Sequence, residues 1–265
     1  MSYCKLHGVT VEGSGPRTML MSHGFGCGPQ MFRLMIPELR NDFRIVRYHL
    51  AGSGPYPKAR FSRAKYGTLD GYAQDVIHIC DEMGLTDVIH VGHSVSATVA
   101  GLAAIARPDL FSHLVMIGPS ARYINDGDYY GGFTTSDIEE MVEVLSGNYV
   151  AWSGTMAPAI AGNAERPELG QELTASFCDM DPEIAAFFAR VTFTSDNRAD
   201  LPKITTPTLI IQSREDIIAP EPVGRYVHEH IPGSTFRILD SRGHCPNLSH
   251  PHETNAAIRE FLAVS

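Results

Sequence analysis

Charged residues are scarce in this chain of 265 residues, at 19%, against 43% hydrophobic ones. That balance excludes intrinsic disorder, which needs few large apolar side chains and many charges. Basic residues are the scarcer sign, 21 Lys and Arg against 30 Asp and Glu for a net charge of −9. No electrostatic footprint for nucleic acid or an anionic membrane follows from such a balance. The five cysteines (Cys4, Cys27, Cys80, Cys178 and Cys245) are odd in number, widely scattered and form no CxxC. A zinc ribbon, a thioredoxin-type site and a disulfide framework are therefore unsupported, and reduced thiols in a reducing compartment are expected. Long apolar runs are also missing. The uncharged, apolar-rich stretch Val95–Ala106 is too short to span a bilayer, and the opening residues carry no secretory-signal pattern, so a cytoplasmic protein is expected. No GxGxxG follows a strand, no repeat is present, and Gly52-Ser53-Gly54 lacks the lysine and spacing of a phosphate loop. No nucleotide, metal or organic cofactor is expected.

What is present is an alternation of short β-type runs with helical patterns, the sign of an α/β fold with a mostly parallel sheet flanked by helices. Strands are expected over Thr18–Ser22, Phe43–Leu50, Asp87–Val91, His113–Ile117, Thr208–Gln212 and Thr235–Leu239. Helices are expected over Pro29–Leu39, Thr68–Met83 and Ser94–Ala106, after Pro220, and around Glu253–Leu262. Gly84 suits the C-terminal cap of the second. Between Gly118 and about Asp200 the β-type runs vanish. Aromatic-rich helical segments replace them, at Ile138–Leu145, Tyr149–Trp152, Glu168–Phe177 and Pro182–Phe193. This pattern predicts a core of residues 1–120 and 199–265, with a helical cap at 121–198 inserted between two strands of one sheet. At roughly 150 residues per domain, the length fits one large domain carrying such an insertion.

Gly92-His93-Ser94-Val95-Ser96 lies between a predicted strand and a helix rich in small residues. Strand, sharp turn and helix are what a nucleophile elbow requires, because the turn lifts the serine hydroxyl above the sheet. Ser96 stands where the GxSxG pattern has its last glycine, and serine is small enough for strand and helix to cross. A GxSxS string alone is more often an ordinary helix start, so its partners matter. A serine hydroxyl needs a base, and the base needs a third group to orient it. Asp216 follows one predicted strand and His244 follows the next, which is the order Ser, Asp, His at the C-terminal ends of parallel strands. Glu215 is the rival for the acid, and a turn aspartate or a surface histidine is the plain alternative for each partner. The backbone N–H groups of Val95 and of Phe25, in His23-Gly24-Phe25-Gly26, are the candidate oxyanion donors. By itself that loop is equally a tight turn.

The other histidines read as structural. His228 and His230 are two apart on one helix and point to different sides, so they cannot share a metal. His250 and His252 flank a proline at a helix start, and His93 suits packing beside the nucleophile. Cys27 and Cys245 neighbour the oxyanion loop and the histidine, where packing is the expected role.

With these residues placed, the chain resembles the α/β-hydrolase superfamily over nearly its whole length. Within it the chain is most similar to the RsbQ-type bacterial stress regulators and to the plant strigolactone and karrikin receptors. The strings that carry the resemblance are HGFGCGPQMF (23–32), AGSG (51–54), GHSVSA (92–97), ARYINDGDYYGGF (121–133), NYVAW (148–152), QSREDIIAP (212–220) and GHCPNLS (243–249). The serine at the end of the elbow is itself typical of that group. The resemblance implies a four-helix, V-shaped cap over a mostly apolar pocket that includes Phe25, Tyr123, Phe133, Trp152, Phe193 and Ile217 beside Ser94 and His244. For each aromatic, ordinary cap packing is the alternative. His49 departs from the group, which usually has an acidic residue there, and residues 55–61 differ too.

Three functions are compatible with these residues. One is a serine hydrolase cleaving an ester or lactone of a small hydrophobic molecule. Another is a ligand sensor that uses the same triad slowly and signals to a protein partner through the cap. The third is a catabolic enzyme, an esterase or a hydrolase of carbon–carbon bonds. The first two overlap, and together they form the expectation carried forward.

Overall fold

A computed structural model describes residues 2–264. Seven strands form one sheet: β1 (Thr10–Glu12), β2 (Arg17–Ser22), β3 (Phe43–Arg47), β4 (Val88–His93), β5 (Phe111–Ile117), β6 (Thr208–Glu215) and β7 (Thr235–Arg242). Their spatial order is β1-β3-β2-β4-β5-β6-β7, and every pair is parallel except β1 with β3. The expected strands are all present. β1 was not anticipated, because three residues at an exposed edge carry too little pattern to register.

The helices are α1 (Tyr3–Leu6), α2 (Ile36–Leu39), α3 (Asp70–Met83), α4 (Val95–Ala106), α5 (Thr135–Gly147), α6 (Tyr149–Ala161), α7 (Pro167–Cys178), α8 (Pro182–Thr194), α9 (Glu221–His230), α10 (Pro246–Ser249) and α11 (Pro251–Val264). The helix expected over Pro29–Leu39 is broken. A 3₁₀ turn at Pro29–Phe32 gives way to the single turn of α2. Pro37 lacks the N–H that would bond to the carbonyl of Arg33, so the chain can only restart a helix there.

The central strands are buried on both faces, and their alternate residues feed two cores. Met19, Met21, Ile89, Val91, Val115, Ile117, Leu209 and Ile211 pack with residues of α2 and α11. Leu20, Val46, Leu114, Met116 and Ile210 belong to the core that includes α3, α4 and the four helices α5–α8. Those four helices run between β5 and β6. No helix among the described residues is long and apolar enough to cross a membrane.

His23, His90 and His93 are buried, and loss of hydration pushes each down to about 3. In the unfolded chain they titrate near 6.5. Below that value the unfolded state takes up protons that the folded state refuses, so their contribution is full above about pH 6.5 and is lost toward pH 3. Folding stability should fall by up to about 1.4 kcal/mol per pH unit for each histidine in that window. Urea melts at pH 7, 6 and 5 check this, and a flat profile would refute it.

Candidate active site

The sharp turn after β4 is real and strained. Ser94 has φ 58° and ψ −127°, the left-handed side of backbone space that non-glycine residues rarely occupy. It is held there from both sides, as the Ser94 N–H donates to Ile117 O at 2.8 Å and its carbonyl accepts from Ala97 N at 2.9 Å. Ser96 does more than stay small. Its hydroxyl donates to His23 O at 2.6 Å and so ties the elbow to the loop carrying Phe25. That loop is pinned again by His23, whose Nδ1 donates to Gly24 O (2.9 Å) while its Nε2 accepts from Leu50 N (3.0 Å). A side chain on Gly24 would meet Ser94 Cβ at 3.1 Å, so the loop can pass the serine only as bare backbone.

Ser94, Asp216 and His244 come together. The Ser94 hydroxyl lies 2.8 Å from His244 Nε2, and His244 Nδ1 donates to Asp216 Oδ2 at 2.7 Å. All three are buried. Asp216 follows β6 directly and its other oxygen accepts from the N–H groups of Ile218 and Ala219, at 2.8 and 3.0 Å. These bonds aim one carboxylate oxygen at the imidazole and use the other to shape the turn. Glu215, the rival acid, ends β6 and pairs instead with Arg242 on the surface. Val95 opens α4, where a backbone N–H has no intrahelical acceptor, and Phe25 lines the cavity from the His23–Gly26 loop.

Ser94 and His244 open on an apolar cavity of about 440 Å³ of atom-free space including its mouth. Of the residues expected there, Phe25, Trp152 and Phe193 line it. Phe25 is the hub, its ring meeting those of Trp152, Phe177, Phe188 and Phe193 at centroid distances of 5.5–6.3 Å. Tyr123 is fully buried against Phe193, its ring 4.9 Å away. Its hydroxyl is turned toward Ser94 and has no well-formed partner among the described residues, and burial holds the phenol protonated.

Three of the six expected residues, Tyr123, Ile217 and Phe133, are not in the lining. Ile217 is 52% exposed and does not line the cavity; Ile218 does so instead. The turn made by Asp216 Oδ1 swings residue 217 outward and 218 inward. Phe133 is only half-buried and lies outside the lining, on a loop paired with Ile124 and Tyr123. The reading also missed Met141, Met156, Ile160, Leu173 and Phe177. A signal for most of them exists, since Trp152, Met156 and Ile160 are spaced i, i+4, i+8, and Leu173 and Phe177 are spaced i, i+4, each set on one helical face.

Cys27 and Cys245 line the cavity, and burial pushes the Cys27 thiol up to about 12 and Cys245 well above its ordinary value. They stay thiols and pack, as expected. No group of three or more metal-ligating side chains occurs among the described residues.

A mostly parallel sheet whose serine sits on a strained strand-to-helix turn, with acid and histidine after later strands, defines an α/β-hydrolase. Residues 19–257 match the alpha/beta hydrolase family, and the chain belongs to it. It is 40% identical to a probable esterase of Oryza sativa subsp. japonica over 92% of this chain and 91% of that one. It is 37% identical to a strigolactone esterase of Arabidopsis thaliana, over 96% and 95%. A hydrolase from Oleispira antarctica superposes with a TM-score of 0.94 at 38% identity, covering 98% of this chain and 96% of that one.

Proposed function

We propose that this protein is a serine hydrolase that cleaves an ester or lactone of a small hydrophobic molecule, in a ligand-sensing role. The observation that carries this reading is the unbroken Ser94–His244–Asp216 chain of 2.8 and 2.7 Å contacts opening on an apolar cavity. Ser94 Oγ attacks the carbonyl carbon while His244 Nε2 takes its proton, and Asp216 holds the imidazole in the tautomer that allows this. The Phe25 and Val95 N–H groups receive the developing oxyanion. Collapse breaks the bond to the leaving oxygen, which takes the proton back from His244. Water then releases the acyl group from Ser94 by the same steps. The cavity's aromatic walls select apolar ligands of modest size.

The sensing part rests on the relatives. One similar chain is named a karrikin insensitive 2 receptor, from Petunia hybrida, 39% identical over 92% of this chain. In this reading a core of residues 1–120 and 199–265 binds and cleaves, and a cap of residues 121–198 presents the surface that a signalling partner reads. The setting is cytoplasmic.

The test is to mix the protein with p-nitrophenyl acetate or a butenolide-type fluorogenic lactone, in stopped flow and by intact-protein mass. A sensor gives one burst, an acyl adduct mapping to Ser94 and slow release. Fast sustained turnover through Ser94 would instead support the catabolic enzyme. No release from either probe, or an adduct elsewhere, would overturn the reading.

A further inference from the structure

An imidazole held only by its Asp216 contact could still pivot about its own backbone. Here that backbone is fixed at both ends. The His244 N–H donates to Ile160 O, in the last turn of α6, at 2.8 Å. The His244 carbonyl accepts from His93 Nε2, also at 2.8 Å. His93 immediately precedes Ser94, so one hydrogen bond joins the strand carrying the nucleophile to the backbone of the base. The tie to α6 has its own brace. Buried Asn163 donates through Nδ2 to Ala161 O (2.6 Å) and to Arg242 O (3.0 Å), which clamps the end of α6 to the end of β7. The two chain segments touch as bare backbone, since a Cβ on Gly243 would meet Ala161 O at 2.0 Å and one on Gly162 would meet Gly243 Cα at 2.7 Å.

We infer that His93 and Asn163 are positioning residues for His244, setting its reach to Ser94 from the nucleophile strand and from the cap helix respectively. The inference deepens the hydrolase reading and rests on it. His93 suits the task chemically. Among the described residues its Nδ1 has no partner, so the donor proton is on Nε2. Burial keeps the ring neutral, and its centroid lies 5.1 Å from that of His244, so it adds no repulsion when His244 takes up the serine proton. A displacement of about 1 Å between nucleophile and base is enough to cost roughly 100-fold in rate.

The experiment measures p-nitrophenyl acetate hydrolysis by the full chain and by His93→Leu, His93→Gln, Asn163→Ala and Ser94→Ala, with circular dichroism confirming each fold. His93→Leu should lower kcat about 10- to 100-fold with KM within about twofold. His93→Gln, whose amide can donate at a similar reach, should recover most of that loss. Asn163→Ala should lower kcat about tenfold, again with little change in KM. Wild-type kcat in His93→Leu and Asn163→Ala, or a His93→Gln no better than a folded His93→Leu, would overturn the inference. If His93→Leu fails to fold, Asn163→Ala alone decides by the same criterion. Hydrolysis that survives in Ser94→Ala sinks the hydrolase reading itself, whereas Ser94-dependent hydrolysis with indifferent positioning variants sinks only this inference.

Discussion

Ser94→Ala should abolish hydrolysis, lowering kcat by about 10⁴- to 10⁶-fold, and Asp216→Asn should lower it by about 10⁴-fold with the fold intact. The two losses have different causes. Removing the hydroxyl leaves nothing to attack, and only the oxyanion donors and the cavity remain to favour reaction. In Asp216→Asn the side-chain oxygen that accepts from Ile218 and Ala219 can stay, so the turn survives. The amide nitrogen then faces His244 Nδ1, where the carboxylate oxygen had accepted. An amide N–H is a donor, so the imidazole must carry its proton on Nε2 instead and can no longer take one from Ser94. Because the residues act as a unit, the double variant should be no slower than Ser94→Ala alone. Steady-state hydrolysis of p-nitrophenyl acetate with melting curves for each variant checks all three. A Ser94→Ala protein within tenfold of wild type would overturn the assignment.

Gly92→Ala should cost about 3 kcal/mol or more, through the backbone and not the chemistry. A Cβ on Gly92 would lie 2.2 Å from Ser96 O and 2.6 Å from Ser96 C, both backbone atoms of α4. No side chain can rotate away, so β4 and α4 must separate. That shift moves Ser94, which sits between them, and strains the Ser96–His23 bond. For a chain of this size such a loss lowers Tm by about 6–12 °C. Gly154→Ala is the control. It lies inside α6 with no atom within 4 Å of the added Cβ, and alanine there should stabilise by about 0.5–1 kcal/mol. A Gly92→Ala protein as stable as wild type would mean that the crossing is looser than these distances say.

By itself the sequence determined the fold class, the order of β2 to β7 along the chain and three residues with the right chemistry in the right order. These are local matters. Buried parallel strands read as short apolar runs, and each of Ser94, Asp216 and His244 announces itself by following one of them. Tertiary structure alone decided which side chains meet. Residues 94, 216 and 244 converge only because β4, β5, β6 and β7 are neighbours in one sheet. The choice between Ile217 and Ile218 hung on a turn closed by a single carboxylate oxygen, and a one-residue rotation of that kind leaves no trace in hydropathy. The break in the expected Pro29–Leu39 helix was written locally, in Pro37, but helical spacing outweighed it. The hold on His244 was least legible of all. It is made by a carbonyl of α6 and a ring before Ser94, and backbone groups carry no sequence signature because every residue has them.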